Sequence, residues 1–301
     1  IEQQTGVDTW HKDVSFYKIF DADNQHRGSF YFDLYAREKK RGGAWMDVCR
    51  SRRRLSNGEI QLPVAYMVCN FNGPVDGKPA LFTHDEVVTL FHEFGHGLHH
   101  MLTKIDAGGV SGISGVAWDA VELPSQFLEN WCWQPEALSF ISGHFETGEA
   151  LSNELLDKML AAKNYQSAMQ MVRQLELSLF DFTLHQQSNA EKSVQSILDE
   201  IRQEVAVVIP PAFNRFQNSF GHIFAGGYAA GYYSYKWAEV LSSDAFGRFE
   251  EEGIFNQQTG RDFLSNILEM GGSKEPMELF VAFRGREPEV DALLRHSGIA
   301  A

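Results

Sequence analysis

The chain has 301 residues, 44% of them hydrophobic, and a formal net charge of −14. Such a length and apolar content support a sizeable core in one large or two modest domains and exclude a disordered chain, while the acidic balance disfavours nucleic acid and anionic membrane as partners. No run approaches the ~18 consecutive apolar residues of a membrane span, and no basic-then-apolar start marks a signal peptide, so neither is expected.

The chain begins with Ile1 rather than Met, which suggests a fragment or a processed protein. Three cysteines, Cys49, Cys69 and Cys132, show no C-x-x-C spacing. They point to a reducing, cytoplasmic compartment and away from both a disulfide framework and a cysteine-based zinc site.

Residues 14–20, 28–36, 44–49 and 63–71 are rich in aromatic and β-branched side chains with partial alternation, and are expected to form one small antiparallel sheet. Arg52, Arg53 and Arg54 read as a solvated turn between two of its strands. An exposed sheet edge can bind an extended peptide as an added strand through main-chain hydrogen bonds; the sheet is equally compatible with a purely supporting role.

Residues 83–102 carry His92-Glu93-x-x-His96. Thr83 with Glu86 makes a capping-box signature, and Val87, Val88, Leu90, Phe91, Phe94, Leu98 and Met101 supply helical apolar periodicity. Two imidazoles four residues apart stand on one helix face and can reach one metal ion, and Glu93 can serve as general base toward a water at that metal. Gly95 and Gly97 each lower helix propensity by roughly 0.5–1 kcal/mol relative to Ala, so they anticipate close approach of another backbone. His99 and His100 are left as structural, because a fourth protein ligand would close the position that hydrolysis needs open.

Beyond a glycine-rich stretch, residues 120–133 read as a helix with Pro124 near its first turn. Glu122 is the candidate third ligand. Glu129, seven residues on, is a candidate to orient a ligand histidine and reads equally as a surface carboxylate. Helical periodicity continues over 135–143, 152–162, 166–187, 192–208, 213–220, 228–251, 260–270, 276–283 and 288–296. Tyr228, Tyr232 and Tyr235 then fall at i, i+4 and i+7 of one helix, a stripe that by pattern alone is ordinarily core. Arg284 and Arg286 read first as ion-paired structural residues and second as a binding site for a carboxylate.

Together, His92-Glu93-Phe94-Gly95-His96, Val121-Glu122-Leu123-Pro124-Ser125-Gln126, Glu129-Asn130-Trp131, the stretch His222–Tyr228 and the tail Phe283–Pro288 resemble the thimet-oligopeptidase family of zinc peptidases, along essentially the whole chain. The resemblance implies a mainly α, zincin-like helical catalytic domain with the small sheet near its N-terminus: one unit, with residues 1–82 as sheet region and 83–301 as helical region. It implies that this is the C-terminal half of a longer chain whose N-terminal helical half faces it across a channel. It also implies one Zn2+ held by His92, His96 and Glu122, and Tyr228, Tyr235 and His222 contacting substrate or the developing oxyanion, with Gly226-Gly227 as a hinge-like loop. The expected activity is cleavage of short oligopeptides by a metalloendopeptidase in which Glu93 activates a zinc-bound water. A dipeptidyl carboxypeptidase of the same family and a non-catalytic zinc-stabilised binding domain are the alternatives.

Overall fold

The computed structural model describes residues 1–187 and 192–299. Its N-terminal region is built from the strands β1 (Glu2–Gln4), β2 (Ser15–Phe20), β3 (His26–Tyr35), β4 (Trp45–Arg50), β5 (Arg53–Arg54), β6 (Ile60–Gln61) and β7 (Val64–Phe71). Five of them form a sheet in the order β1-β2-β3-β7-β4, and β5 pairs with β6. The sheet is mixed and not antiparallel as the strand pattern suggested: β3 and β7 run parallel, with Ser29 opposite Val64 and Phe32 opposite Met67. The chain leaves β3, makes β4 and the β5–β6 pair, then returns to insert β7 between β3 and β4. A strand with partners on both sides tolerates a near-continuous apolar run, and β7 reads Val-Ala-Tyr-Met-Val-Cys-Asn-Phe. Arg53 and Arg54 form β5 rather than a bare turn, and Arg52 and Arg54 both pair with Asp106.

The long helix α1 (His84–Met101) lies on this sheet. Its capping box is complete: the Thr83 hydroxyl accepts from the Glu86 amide, and the Glu86 carboxylate accepts from the Thr83 amide. The half of α1 beyond Phe91 buries most of its residues, and Met101 packs with Phe30, Ala65 and Met67 while Phe94 and Leu98 flank them. The N-terminal turns, with Val87, Val88 and Leu90, stay half-buried.

The remaining elements are α2 (Leu123–Glu129), α3 (Pro135–Ile141), α4 (Asn153–Lys163), α5 (Ser167–Gln186), α6 (Val194–Val205), α7 (Gly221–Phe224), α8 (Ser234–Glu252), α9 (Gln257–Phe263), which runs on into a π turn at Leu264–Leu268, α10 (Pro276–Arg284) and α11 (Asp291–His296). Two expected helices are corrected. Over 213–220 only a 3-10 turn forms, at Phe216–Asn218, downstream of the Pro210-Pro211 break; 228–233 is a turn that precedes α8. Arg284 and Arg286 do converge on buried Asp244, at 3.0 and 2.6 Å.

α1 and α2 cross at Gly95. A Cβ there would lie 2.5 Å from the Pro124 carbonyl oxygen and 2.5 Å from the Ser125 Cα, and one at Gly97 would lie 2.9 Å from the Met67 sulfur. Neither Pro124 nor Ser125 can yield, because the contact is backbone. Gly95→Ala is therefore expected to destabilise the protein by about 3 kcal/mol, the upper end of overpacking penalties. At an open helix position the same change would stabilise by ~1 kcal/mol, so the sign of the change in urea midpoint tests the contact, and a raised midpoint would refute it.

Candidate metal and catalytic site

The tight α1–α2 crossing brings His92 and His96 against Glu122, the residue at the N-terminal boundary of α2. Glu122 Oε2 lies 3.2 Å from His92 Nε2 and 3.1 Å from His96 Nε2. Both carboxylate oxygens are held. Oε2 also accepts from the Ser125 hydroxyl at 3.1 Å, and Oε1 accepts from the Tyr228 hydroxyl at 2.6 Å. On the far side of the first imidazole, Glu129 Oε1 lies 2.6 Å from His92 Nδ1, so Glu129 is no free surface carboxylate but the group that orients this ring.

The donor set fits a metal ion. Among the described residues His92, His96 and Glu122 bring one ligand atom each within 4.8 Å of one another. Three donors at about 2.1 Å from a common centre at tetrahedral angles stand about 3.4 Å apart, close to the Nε2–Oε2 separations found here. The second nitrogen of His92 is anchored by a carboxylate, the arrangement that commonly fixes a ligand histidine.

Electrostatics reflect the same grouping. Burial alone would lower the His92 pKa, but hydrogen bonds from Glu122 and Glu129 outweigh it and push the imidazole up to about 10. For Glu122, burial acts to raise the carboxyl, and the bonds from His92 and His96 override it and hold it well below the usual range. Both shifts favour charged groups of opposite sign at this cluster, and a cation bound there would compete with the proton on the imidazole. Glu93 is 5% exposed, and burial raises its pKa while the charges of His92 and His96 oppose that.

A cleft of about 910 Å3 opens over these residues. Its floor carries His92, Glu93, His96 and Glu122; one wall is Ala44, Trp45 and Met46, at the start of edge strand β4; the opposite wall is His222, Tyr228 and Tyr235. Sheet order leaves two edges, β1 and β4, and of these β4 lines the cleft. Although 228–233 is not helical, Tyr228 and Tyr235 still meet: their rings stack with centroids 4.8 Å apart, and His222 sits 6.2 and 6.0 Å from them. Tyr232 goes the other way, into a core with Phe180, Leu198 and Phe220, where its hydroxyl donates to Gln174 at 3.0 Å. Burial and the nearby Glu122 carboxylate raise the pKa of both cleft tyrosines, which keeps their hydroxyls as donors.

α2 and α8 hold floor and wall together. Leu123 and Phe127 pack with Leu241, Phe246 and Phe249, and the Gln126 amide donates to the Tyr235 carbonyl at 3.1 Å. His99 and His100 point away from the cluster; His100 Nε2 meets the Arg50 carbonyl at 2.8 Å, and burial drives His99 down to about 3, so it is a neutral core residue. No helix among the described residues is long and apolar enough to cross a membrane.

Comparison with known proteins places the chain in a family. The chain is 66% identical over 300 residues to oligopeptidase A of Salmonella typhimurium and, equally, of Escherichia coli, in each case spanning 99% of this chain and 44% of the relative. It is 36% identical to a dipeptidyl carboxypeptidase of Salmonella typhimurium, covering 97% of this chain and 43% of that protein. The chain thus spans less than half the length of these relatives. Among solved structures, PZ peptidase A with an inhibitor superposes with a TM-score of 0.58 at 17% identity, over 89% of this chain and 42% of that one. A Pyrococcus furiosus carboxypeptidase superposes with 0.55 at 15% identity, over 89% and 53%. The sequence pattern of peptidase family M3 matches residues 1–299, and the chain belongs to that family.

Proposed function

We propose that the protein containing this chain is a zinc-dependent, cytoplasmic metalloendopeptidase that hydrolyses short oligopeptides, with a zincin-like catalytic unit spanning residues 1–301. One observation carries the reading: two imidazoles, a carboxylate that meets both, and a buried glutamate on the same helix all line a single cleft with an edge strand on its rim. Oligopeptidase A, named for its action on oligopeptides, is the relative at 66% identity, and this supports an endopeptidase over the dipeptidyl carboxypeptidase at 36%.

His92, His96 and Glu122 would hold one Zn2+. Zinc at that position supplies a Lewis acid that polarises the scissile carbonyl and lowers the pKa of a water to about 7. The chain's own residues do the rest. β4 offers unpaired backbone groups to which an extended peptide adds as a strand, fixing its main chain with little regard to side-chain identity. Glu93 accepts the proton of the attacking water at its carboxylate and delivers it to the leaving amine. Tyr228 and Tyr235, with His222 beside them, donate hydrogen bonds to the substrate oxygen that gains charge. Glu129 holds His92 in the tautomer that presents Nε2. The remainder of the longer protein, expected to be a helical half, would close the cleft and set the size limit on substrates.

The test is metal analysis paired with a quenched-fluorescent peptide assay on the full-length protein. Chelation, His92→Ala, His96→Ala and Glu122→Ala are each expected to abolish bound zinc and turnover together, and added zinc to restore only the chelated wild type. Full zinc occupancy in Glu122→Ala would remove it from the ligand set. Mass spectrometry of the products should show internal cuts; stepwise loss of dipeptides would overturn the endopeptidase reading.

A further inference from the structure

The turn that carries Tyr228 is not held by its own helix. It runs from Ala225 to Tyr233, outside regular structure, and contains Gly227 and Ala230 in the left-handed region, at φ 88° and 54°. For alanine that conformation is strained and persists only where surroundings impose it. On the cleft side the loop leans on Trp118, whose ring stands 4.7 Å from that of Tyr228. On the inner side lies Asp181 of α5, fully buried. Its Oδ1 accepts the Ala230 amide at 3.0 Å and its Oδ2 accepts the Tyr232 amide at 2.9 Å. His185, one turn along α5, places Nδ1 2.8 Å from the Asp181 carbonyl oxygen and 2.9 Å from Oδ1.

A buried carboxylate persists where hydrogen bonds compensate its lost hydration. Here the two amide donors are both loop backbone, one of them the strained alanine's own and the other two residues on. No Lys or Arg pairs with Asp181 among the described residues. We propose that Asp181 is a positioning residue for the reaction, a two-pronged clamp that sets the loop so that the Tyr228 hydroxyl points into the cleft. The proposal rests on the role given to Tyr228 above. Asp181 touches neither cleft nor metal ligands and acts through backbone, which is why no motif at 181 announces it.

Asp181→Asn keeps shape but puts an amide N–H against one of two backbone N–H donors. In the full-length, zinc-loaded protein it is expected to lower kcat by about 10- to 100-fold, the scale of misplacement transmitted from outside the reacting centre, with KM changed less than about twofold. Zinc content should stay at the wild-type level. Hydrogen exchange followed by mass spectrometry should quicken in peptides covering 225–233 and not in those covering α1. In the Asp181→Asn background, Tyr228→Phe should cost little more, because the hydroxyl is already misplaced. If Asp181→Asn fails to fold, His185→Ala, which loosens the clamp from a partly exposed position, is read the same way with a smaller loss. Wild-type kcat in the folded variant, or losses that simply multiply with Tyr228→Phe, would overturn the clamp. An unchanged kcat in Tyr228→Phe alone would instead overturn the tyrosine's role, which separates the two failures.

Discussion

Glu93→Gln is expected to leave zinc content at the wild-type level and to lower kcat by about 10²–10⁴-fold, the range for loss of a positioned general base. Glutamine fills the same volume in the buried pocket beside His92 and His96, so packing and the ligands stay in place. What it lacks is a lone pair basic enough to take a proton from water. The structure adds a second reason to expect a large effect. Burial raises the Glu93 pKa against the opposing charges of the two imidazoles, and a more basic carboxylate is the better proton acceptor. Atomic absorption and steady-state kinetics on one preparation check both halves. A variant with near-normal kcat removes Glu93 from proton transfer, and one that loses zinc gives it a structural role.

Tyr228→Phe and Tyr235→Phe should each lower kcat on the scale of a lost oxyanion donor, about 10²–10³-fold, with little change in KM. Phenylalanine keeps the stacked pair, whose centroids lie 4.8 Å apart, and deletes only the hydroxyl. For Tyr228 the hydroxyl also donates to Glu122 at 2.6 Å, so its loss could act by loosening a ligand carboxylate. Zinc content distinguishes the two routes, and the oxyanion role requires that it stay full. Tyr232→Phe is the control. Its hydroxyl meets Gln174 in the core, so that change should reduce stability by about 1 kcal/mol and leave kcat alone. Should both cleft tyrosines tolerate Phe within about twofold, they act by packing only.

Local rules carried α1 far. The capping box, the face shared by His92 and His96, and the close backbone approach signalled by Gly95 all depend on spacing within about two turns, and each is found. Glu122 was legible as a candidate on the short stretch that opens α2, whereas Glu129 read equally as a surface carboxylate until its oxygen was found 2.6 Å from His92 Nδ1. What sequence patterning missed is non-local. The parallel β3–β7 pairing depends on where β7 inserts, and nothing in the strand pattern encodes that. The Tyr228–Tyr235 contact was expected from a helix that does not include Tyr228; Ala230 in a left-handed conformation instead folds the turn back so that the rings meet while Tyr232 enters the core. Asp181 left no signal at all, since an acidic residue in a helix reads as solvent-facing until its partners, 49 and 51 positions away, are known.

The sheet order has a consequence for how the cleft comes into being. β4, whose first residues form one wall, is made before β7, its partner in the sheet. A nascent chain that has emerged only through Arg50 can pair β1, β2 and β3 in sequence, but β4 has no sheet partner until residues 64–71 follow. The antiparallel β4–β7 pair closes over the short stretch between Arg50 and Val64, whereas the parallel β3–β7 pair closes over the longer one between Tyr35 and Val64, and the longer closure forms later because more loop entropy must be overcome first. The cleft wall is therefore expected to form with β7 as a local pair that then docks on β3, with α1 following directly behind to cover β7. Until β7 is made, β4 is an unpaired extended segment.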